Sequence, residues 1–319
     1  MHLIINKLTN IDMTKRHYLS LLLILLSATA MAQQAILPQP VNYGHATYEL
    51  SDQNCSAKIS ITYPLHGTAE FRAAYDSIVL RQVGRLSHLT PDEDDSDVPV
   101  RLLHPMPAPR AGEDVAKMMA HHFVDDAKDY IKTIVREHNP RLESGQAPLT
   151  SNDLPECSLD LDLSRVIATP RYITYRLFAD LYLGGAHGMQ YEHYYTLDRA
   201  TGQHFGLNEL FPEEVHNKLR TIVYRNLCET YLAEKGAIPD DMPSLSDFSL
   251  PIAPSVGLDH KGIIFLYQPY EILSYSEGLP QCIVPYSQIY AILSEAGKQL
   301  VGYQPSKTPK PRNNKSGQR

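Results

Sequence analysis

Residues 182–211, YLGGAHGMQYEHYYTLDRATGQHFGLNELF, contain the turn and strand signals on which the fold prediction depends. Polar and apolar side chains alternate in residues 172–183, and residues 190–197 are rich in β-prone side chains, which is typical of strands. Between them lies GGAHG, whose glycines can adopt the positive φ of a tight turn without a Cβ clash. We therefore predict a hairpin across GGAHG and, after the turn at 198–202, a second hairpin into 204–207.

The remaining periodic segments predict an α+β fold, in which an antiparallel β-sheet is packed by two to three long helices. Helices are predicted at 69–86, 113–137, 212–232 and from 285; strands are predicted at 55–63, 159–163, 255–258, 262–267 and 282–284.

Composition and charge restrict the classes of partner. The chain has 319 residues, 20 tyrosines, no tryptophan and a net charge of −7. Because the first 32 residues and the last 17 are basic, the body between them carries about −14. That sign disfavours nucleic acid as a partner and would steer a basic protein towards the body.

The N-terminus has the pattern of a secretory leader. Lys15 and Arg16 precede the apolar run 19–26, and Ala30 and Ala32 form an A-x-A cleavage signal. We expect cleavage after Ala32 and a periplasmic or secreted protein. The apolar run is too short for a membrane-spanning helix, and no later segment is long enough.

Four cysteines, Cys55, Cys157, Cys228 and Cys282, are widely spaced and include no C-x-x-C pair. This spacing argues against a zinc site. In an oxidising compartment they can form one or two disulfides, or they can serve as small buried hydrophobic residues. The sequence does not give the pairing.

Histidines in and after GGAHG raise the question of catalysis. His187 and His193 are separated by a spacing that is not typical of metal ligands, so we predict no metal and no cofactor. We favour a structural role for His187, in which its ring N–H donates to a nearby carbonyl and fixes the turn. One alternative is a metal- or His-dependent envelope hydrolase that uses His187 or His193 with an acid such as Glu192 or Glu271. Another is a structural envelope protein with no small ligand. We predict no enzymatic activity and no catalytic residue.

A tyrosine-rich segment, residues 267–278, is the candidate binding site. Tyrosine suits contact surfaces because its ring is apolar and its hydroxyl is polar. The predicted binding residues are Tyr267, Tyr270, Glu271 and Tyr275. If the segment is instead buried, we expect Glu271 to bond to backbone.

Several segments together resemble the extracytoplasmic domain shared by the anti-sigma factor RsiV and peptidoglycan deacetylases of the PdaC type. These segments are GGAHG, YTLDRATGQHFGLNELF, IIFLYQPYEILSYSEG and CIVPYSQI, within residues 50–300. Gln203 departs from the family pattern, which has Lys there. The structural signature residues are Gly184, Gly185, His187, Gly188, Asp198, Gly202 and Phe211.

The resemblance implies a domain organisation and a class of ligand. The outer domain of RsiV binds lysozyme, so we expect a sensor-like module for a lysozyme-like protein or a peptidoglycan fragment. This sequence shows no anti-sigma segment, membrane helix or deacetylase domain. We therefore expect neither inhibition of a sigma factor nor deacetylase activity. The predicted parts are a leader at 1–32, an N-terminal α/β part at 33–190, an RsiV-like C-terminal part at 191–302 and a basic disordered tail at 303–319.

Overall fold

The computed structural model describes residues 42–78, 82, 86, 111–138, 150, 154–243, 245 and 250–303. The predicted leader, and the predicted tail beyond residue 303, lie outside these residues. The described part is α+β, as predicted. Its strands are β1 (Tyr43–Asp52), β2 (Cys55–Pro64), β3 (Cys157–Ala168), β4 (Tyr172–Tyr182), β5 (Met189–Asp198), β6 (Ser255–Leu258), β7 (Gly262–Leu266) and β8 (Gln281–Pro285). Its helices are α1 (Ala69–Ile78), α2 (Ala111–His138), α3 (Leu207–Leu210), α4 (His216–Lys235), α5 (Tyr286–Ile289) and α6 (Glu295–Val301).

The first sheet has the strand order β1-β2-β3-β4-β5. Its pairs are antiparallel except β2 and β3, which run parallel. Parallel neighbours need a long crossover, and here the chain between them includes α1 and α2. The predicted hairpin across GGAHG is confirmed, because β4 and β5 are adjacent antiparallel strands on either side of it.

The core of this sheet lies on its helix-facing side. Alternate residues of β2, β3 and β4 point towards α1 and α2 and are almost fully buried, whereas in β2 and β3 their neighbours on the other face are polar and more exposed. The buried set includes Ile59, Ile61, Leu161, Leu163, Tyr175 and Leu177, which pack with Phe71 of α1 and Phe123 of α2. This alternation is the burial pattern that a half-buried strand requires.

The second sheet has the order β6-β7-β8 and is antiparallel throughout. Every residue of β7 is buried, because each face of the strand packs against another layer. Ile263 and Phe265 share a core with α4, whereas Ile264 and Leu266 pack against Tyr194 of β5. The second sheet therefore lies between α4 and the face of the first sheet that α1 and α2 leave uncovered.

Among the described residues, β5 is the last strand of its sheet, yet several backbone groups on its outer edge have partners. The side-chain amide of Gln268 bonds both backbone groups of Glu192, with Nε2 donating to the carbonyl at 2.7 Å and Oε1 accepting from N–H at 3.3 Å. Ser255 Oγ accepts from Tyr194 N–H at 2.9 Å. Further along the strand, the carbonyl of Thr196 accepts from the Phe205 N–H at 2.8 Å.

The second predicted hairpin forms only in part. Leu197 and His204 make an isolated antiparallel bridge, but the chain then turns into helix at Leu207. The Glu209 carboxylate accepts from the Gly206 N–H at 2.9 Å and so satisfies a donor at the helix start.

Across the ranges that the structure covers, we find no helix with the length and apolarity needed to cross a bilayer.

Candidate binding surface

The turn between β4 and β5 is fixed by backbone conformation and by side chains. Gly184 has a φ of +75°, and a Cβ there would lie 2.4 Å from Pro155 Cβ, so only glycine fits. His187 Nδ1 lies 2.8 Å from the Gly188 carbonyl, and Tyr182 donates its hydroxyl to the Gly185 carbonyl at 3.0 Å. Since a carbonyl only accepts, the proton is on Nδ1 of His187. This bond is the one predicted from the sequence.

The 267–278 loop lies against the edge of β5. In addition to the Gln268 bonds to Glu192, the Glu271 carboxylate accepts from the Gln268 backbone N–H at 2.8 Å. Partial burial raises the pKa of the Glu271 carboxyl above its ordinary value. Glu271 therefore holds the loop in its conformation by bonding to backbone.

The turn and the loop meet through their aromatic rings. The Tyr275 ring stacks on His187 with centroids 4.4 Å apart, and Tyr270 stacks on Tyr275 at 5.6 Å. The Tyr275 hydroxyl also donates to the Gly188 carbonyl at 2.5 Å. We call these three residues, Tyr270, Tyr275 and His187, the aromatic stack. Offset rings at such separations attract one another beyond their burial alone.

The outer end of the stack faces solvent. Tyr270 is 66% exposed, and Met189, the residue that follows the turn, is 67% exposed. Tyr270 also has a φ of +66°, which is unusual for a residue with a bulky side chain. Such strain persists only where the surroundings enforce it, and it clusters at sites that hold ligands.

An ion pair between half-buried Arg176 and buried Glu192 lies next to the loop. The Glu192 side chain is almost fully buried, and its carboxylate accepts from Arg176 Nη2 at 2.5 Å and from the Tyr194 hydroxyl at 2.7 Å. The bond to Glu192 raises the pKa of the Arg176 guanidinium. Because Gln268 bonds the backbone of Glu192, this pair fixes the strand position on which the loop depends.

The structure separates the four predicted binding residues. Tyr270 and Tyr275 lie together in the aromatic stack, whereas Glu271 bonds to the loop backbone. Tyr267 is fully buried and donates its hydroxyl to the Pro251 carbonyl at 3.0 Å, so it is a core residue that a surface ligand does not reach. His187 joins the surface, which the sequence did not predict because nothing in its spacing indicates a partner 88 residues away.

The other signature residues lie at the opposite end of β5. The Asp198 carboxylate accepts from the backbone N–H of Ala200 at 2.9 Å and of Thr201 at 2.7 Å, forming a capped turn. Gly202 has a φ of +74°, and Phe211 is buried with its ring 6.0 Å from that of Phe265. These residues stabilise the fold at a distance from the aromatic stack.

Two observations bear on the hydrolase alternative. Glu192 and His193 are consecutive in β5 and so point to opposite faces of the sheet, which prevents them from acting as a pair. His193 lies between Tyr191 and Tyr195, and burial lowers its pKa to about 4. Within the described ranges, no three His, Cys, Asp or Glu side chains converge as metal ligands would.

Comparison with known proteins finds a family model that matches part of the chain and a solved structure of similar fold. Residues 208–287 match the family model described as "Protein of unknown function (DUF3298)", a segment that includes the 267–278 loop but not the GGAHG turn. A solved structure of a DUF3298 family member from Bacteroides fragilis is similar to this chain at a TM-score of 0.56 and 16% identity, over 82% of this chain and 97% of that one. At this identity the likeness shows a shared fold.

A second solved structure, of a DUF3298 family protein from Pseudomonas aeruginosa, has a TM-score of 0.48 and 19% identity, over 82% of this chain and 97% of that one. No curated protein matches the chain.

Proposed function

We propose that this protein is an exported, non-catalytic module that binds a ligand of the cell envelope through the aromatic stack. The ligand is a lysozyme-like protein or a peptidoglycan fragment. The observation that carries the proposal is the arrangement of Tyr270, Tyr275 and His187, which are stacked on one another and end at a ring that is 66% exposed.

Rigid aromatic side chains make effective contact surfaces because little rotamer freedom is lost when they bind. Tyr275 is already held by its hydroxyl bond to Gly188 and by stacking on both sides. Tyr270 is held against the preference of its own backbone. A ligand would therefore meet an ordered apolar surface, which a protein side chain or the C–H face of a sugar can cover.

Charge and family resemblance support the choice of ligand. The body of the chain is acidic, and attraction of opposite charges accelerates the encounter with a basic protein such as lysozyme. The resemblance of GGAHG and of the 267–278 loop to the outer domain of RsiV points to the same ligand. The structure adds that these two segments form one surface.

Isothermal titration calorimetry of the full chain with c-type lysozyme, and separately with muropeptides, tests the proposal. We expect saturable heat from one of the two ligands. Tyr270→Ala should weaken that binding at least about 10-fold, because an exposed aromatic anchor is removed. Leu65→Ala is the matched control: Leu65 is 45% exposed but follows β2 at the opposite end of the first sheet, so its loss should leave binding unchanged.

Two binding results and one chemical result would overturn the proposal. One is the absence of heat from both ligands with a chain that unfolds cooperatively in urea. The other is equal binding by the wild-type chain and Tyr270→Ala, which would place any binding site elsewhere. Chromatography of the muropeptides after incubation completes the test, because release of cleaved product would show that the protein is an enzyme.

A further inference from the structure

Two cysteines occupy the first positions of the two parallel strands. Cys55 begins β2, Cys157 begins β3, and the register pairs them directly. Both are 1% exposed and belong to the helix-facing core, so both side chains lie on the same face of the sheet. The Cys157 N–H donates to the Asn54 carbonyl at 2.8 Å, which fixes the backbones beside each other.

This placement satisfies the first geometric requirement of a disulfide. Neighbouring strands are about 4.8 Å apart, and the Cα atoms of disulfide-bonded cysteines are roughly 4.4–6.8 Å apart. Each cysteine is also the terminal residue of its strand, where a small backbone adjustment disturbs only one end of the ladder.

The other two cysteines also lie near each other: burial raises the pKa of the Cys282 thiol to about 12, and Cys228 adds to that rise. The Cys282 thiol donates to the Val223 carbonyl at 3.7 Å, and Cys228 bonds with the Tyr224 hydroxyl, which raises the pKa of Tyr224. Both cysteines lie where α4 packs on the second sheet. The structure thus provides a directly paired partner for Cys55 and Cys157 in the sheet register.

We propose that Cys55 and Cys157 are a cross-link site and that they form a structural disulfide when the chain folds in an oxidising compartment. This inference rests on the proposed export of the protein but not on its ligand. The oxidant is another disulfide, such as a protein disulfide oxidase or oxidised glutathione.

The exchange proceeds in two steps. One thiolate attacks the oxidant and displaces its first sulfur, and the second cysteine then attacks the mixed disulfide and displaces the other. Two protein thiols are oxidised to one disulfide while one oxidant disulfide is reduced to two thiols, so electrons and protons balance.

The order of folding and oxidation follows from burial. Burial raises the pKa of Cys157 to about 12, with Cys55 beside it adding to the effect, and burial also raises the pKa of Cys55. Because the thiolate is the reactive form, the finished fold exchanges slowly. The bond therefore forms while this end of the sheet is still open.

The cross-link would secure the base of the candidate binding surface. Pro155, two residues before Cys157, is the residue against which Gly184 of the GGAHG turn is packed. Asn54, the neighbour of Cys55, donates its side-chain amide to the Leu154 carbonyl at 2.6 Å. Joining Cys55 to Cys157 would tie these two segments together below the turn.

Refolding in a defined redox buffer tests the inference without any need for export. The reduced full chain is unfolded in urea, refolded with oxidised and reduced glutathione, treated with iodoacetamide and digested. Mass spectrometry should find the Cys55 and Cys157 peptides joined, with a mass two hydrogens below their sum. Recovery of these peptides alkylated, joined to glutathione, or joined to another cysteine would overturn the inference.

A variant that retains only the two paired thiols gives a second measurement. Cys228→Ala/Cys282→Ala should lose both remaining free thiols on oxidative refolding, and its midpoint of thermal unfolding should then rise by roughly 10 °C, since the closed loop spans about 100 residues. The folded reduced variant should react with oxidised glutathione at least about 100-fold more slowly than the unfolded variant. Equal midpoints for the oxidised and reduced forms would contradict a structural bond.

Discussion

The two ends of β5 carry turns that share a glycine with positive φ and differ in their surroundings. GGAHG precedes the strand and DRATG follows it, and each contains one glycine at a φ near +75°, Gly184 or Gly202. A Cβ on Gly202 would lie 2.5 Å from the backbone oxygen of Glu70, in α1. The DRATG turn is therefore enclosed by the fold on its glycine side.

The GGAHG turn is packed at Gly184 and open at the next residue. Gly184 contacts Pro155, but a Cβ on Gly185 would meet no atom within 4 Å. His187 is exposed and supports Tyr275, which in turn supports Tyr270. In both turns the glycines are required by the backbone geometry. The candidate binding role of the GGAHG turn depends on side chains of the 267–278 loop, which stack on His187.

The largest expected effect is on the enclosed turn. Gly202→Ala should lower the free energy of unfolding by about 4 kcal/mol, because the new Cβ adds a positive-φ penalty and a clash with a backbone oxygen. Gly185→Ala is the matched control at the open turn and should change the free energy of unfolding by less than about 0.5 kcal/mol. Urea unfolding curves measure both. Equal losses would show that the two turns are equally constrained.

A change of pH tests the strand that joins the two turns. His193 is held largely buried, with a pKa lowered from 6.5 to about 4 by burial and, to a smaller degree, by the nearby His204. The unfolded chain therefore binds this proton more readily than the folded chain. The contribution of neutral His193 to the free energy of unfolding is fully present above pH 6.5. It is lost as the pH falls towards 4, by up to about 3 kcal/mol.

The measurement is urea unfolding at pH 7.0 and pH 4.5 for the wild-type chain and for His193→Phe, which keeps a ring between Tyr191 and Tyr195. The variant should lose less stability on acidification. An identical loss in both proteins would assign the acid sensitivity to other groups.

The smallest expected effect is at the tip of the aromatic stack. Tyr270→Gly should change the free energy of unfolding by less than about 1 kcal/mol, because relief of the positive φ offsets the lost stacking and the added freedom of the unfolded chain. Tyr275→Gly is the control and should cost about 2 kcal/mol, since Tyr275 loses a hydrogen bond and two ring contacts with no strain to relieve. If Tyr270→Gly costs as much as its control, Tyr270 is an ordinary structural residue.

Local patterns in the sequence were sufficient to predict much of the fold. The strand predicted at 255–258 is β6, and the strands predicted at 55–63 and 190–197 differ from β2 and β5 by one residue at an end or at both ends. Helix α2 was predicted within two residues of each end. Alternation and helical periodicity report burial on one face, which depends only on residues near in sequence.

Pairing between distant segments was beyond the sequence patterns. The parallel contact of β2 with β3 needs a crossover whose geometry is not encoded in either strand, and β1 was not predicted. Tyr267 and Tyr270 stand three residues apart in one tyrosine-rich loop, but one is fully buried and the other is 66% exposed. Only the position of the loop against β5 distinguishes them, and that position depends on Gln268 and Glu192.

The outward-facing backbone of β5 has a consequence for aggregation and for recognition. An uncovered edge strand is a template on which another chain can add as a further strand. Here the Gln268 amide bonds both backbone groups of Glu192, the Ser255 hydroxyl accepts from the Tyr194 N–H, and the Phe205 N–H donates to the Thr196 carbonyl. A protein or peptide that reaches this edge therefore finds these groups already bonded, which disfavours the addition of a further strand along this part of β5.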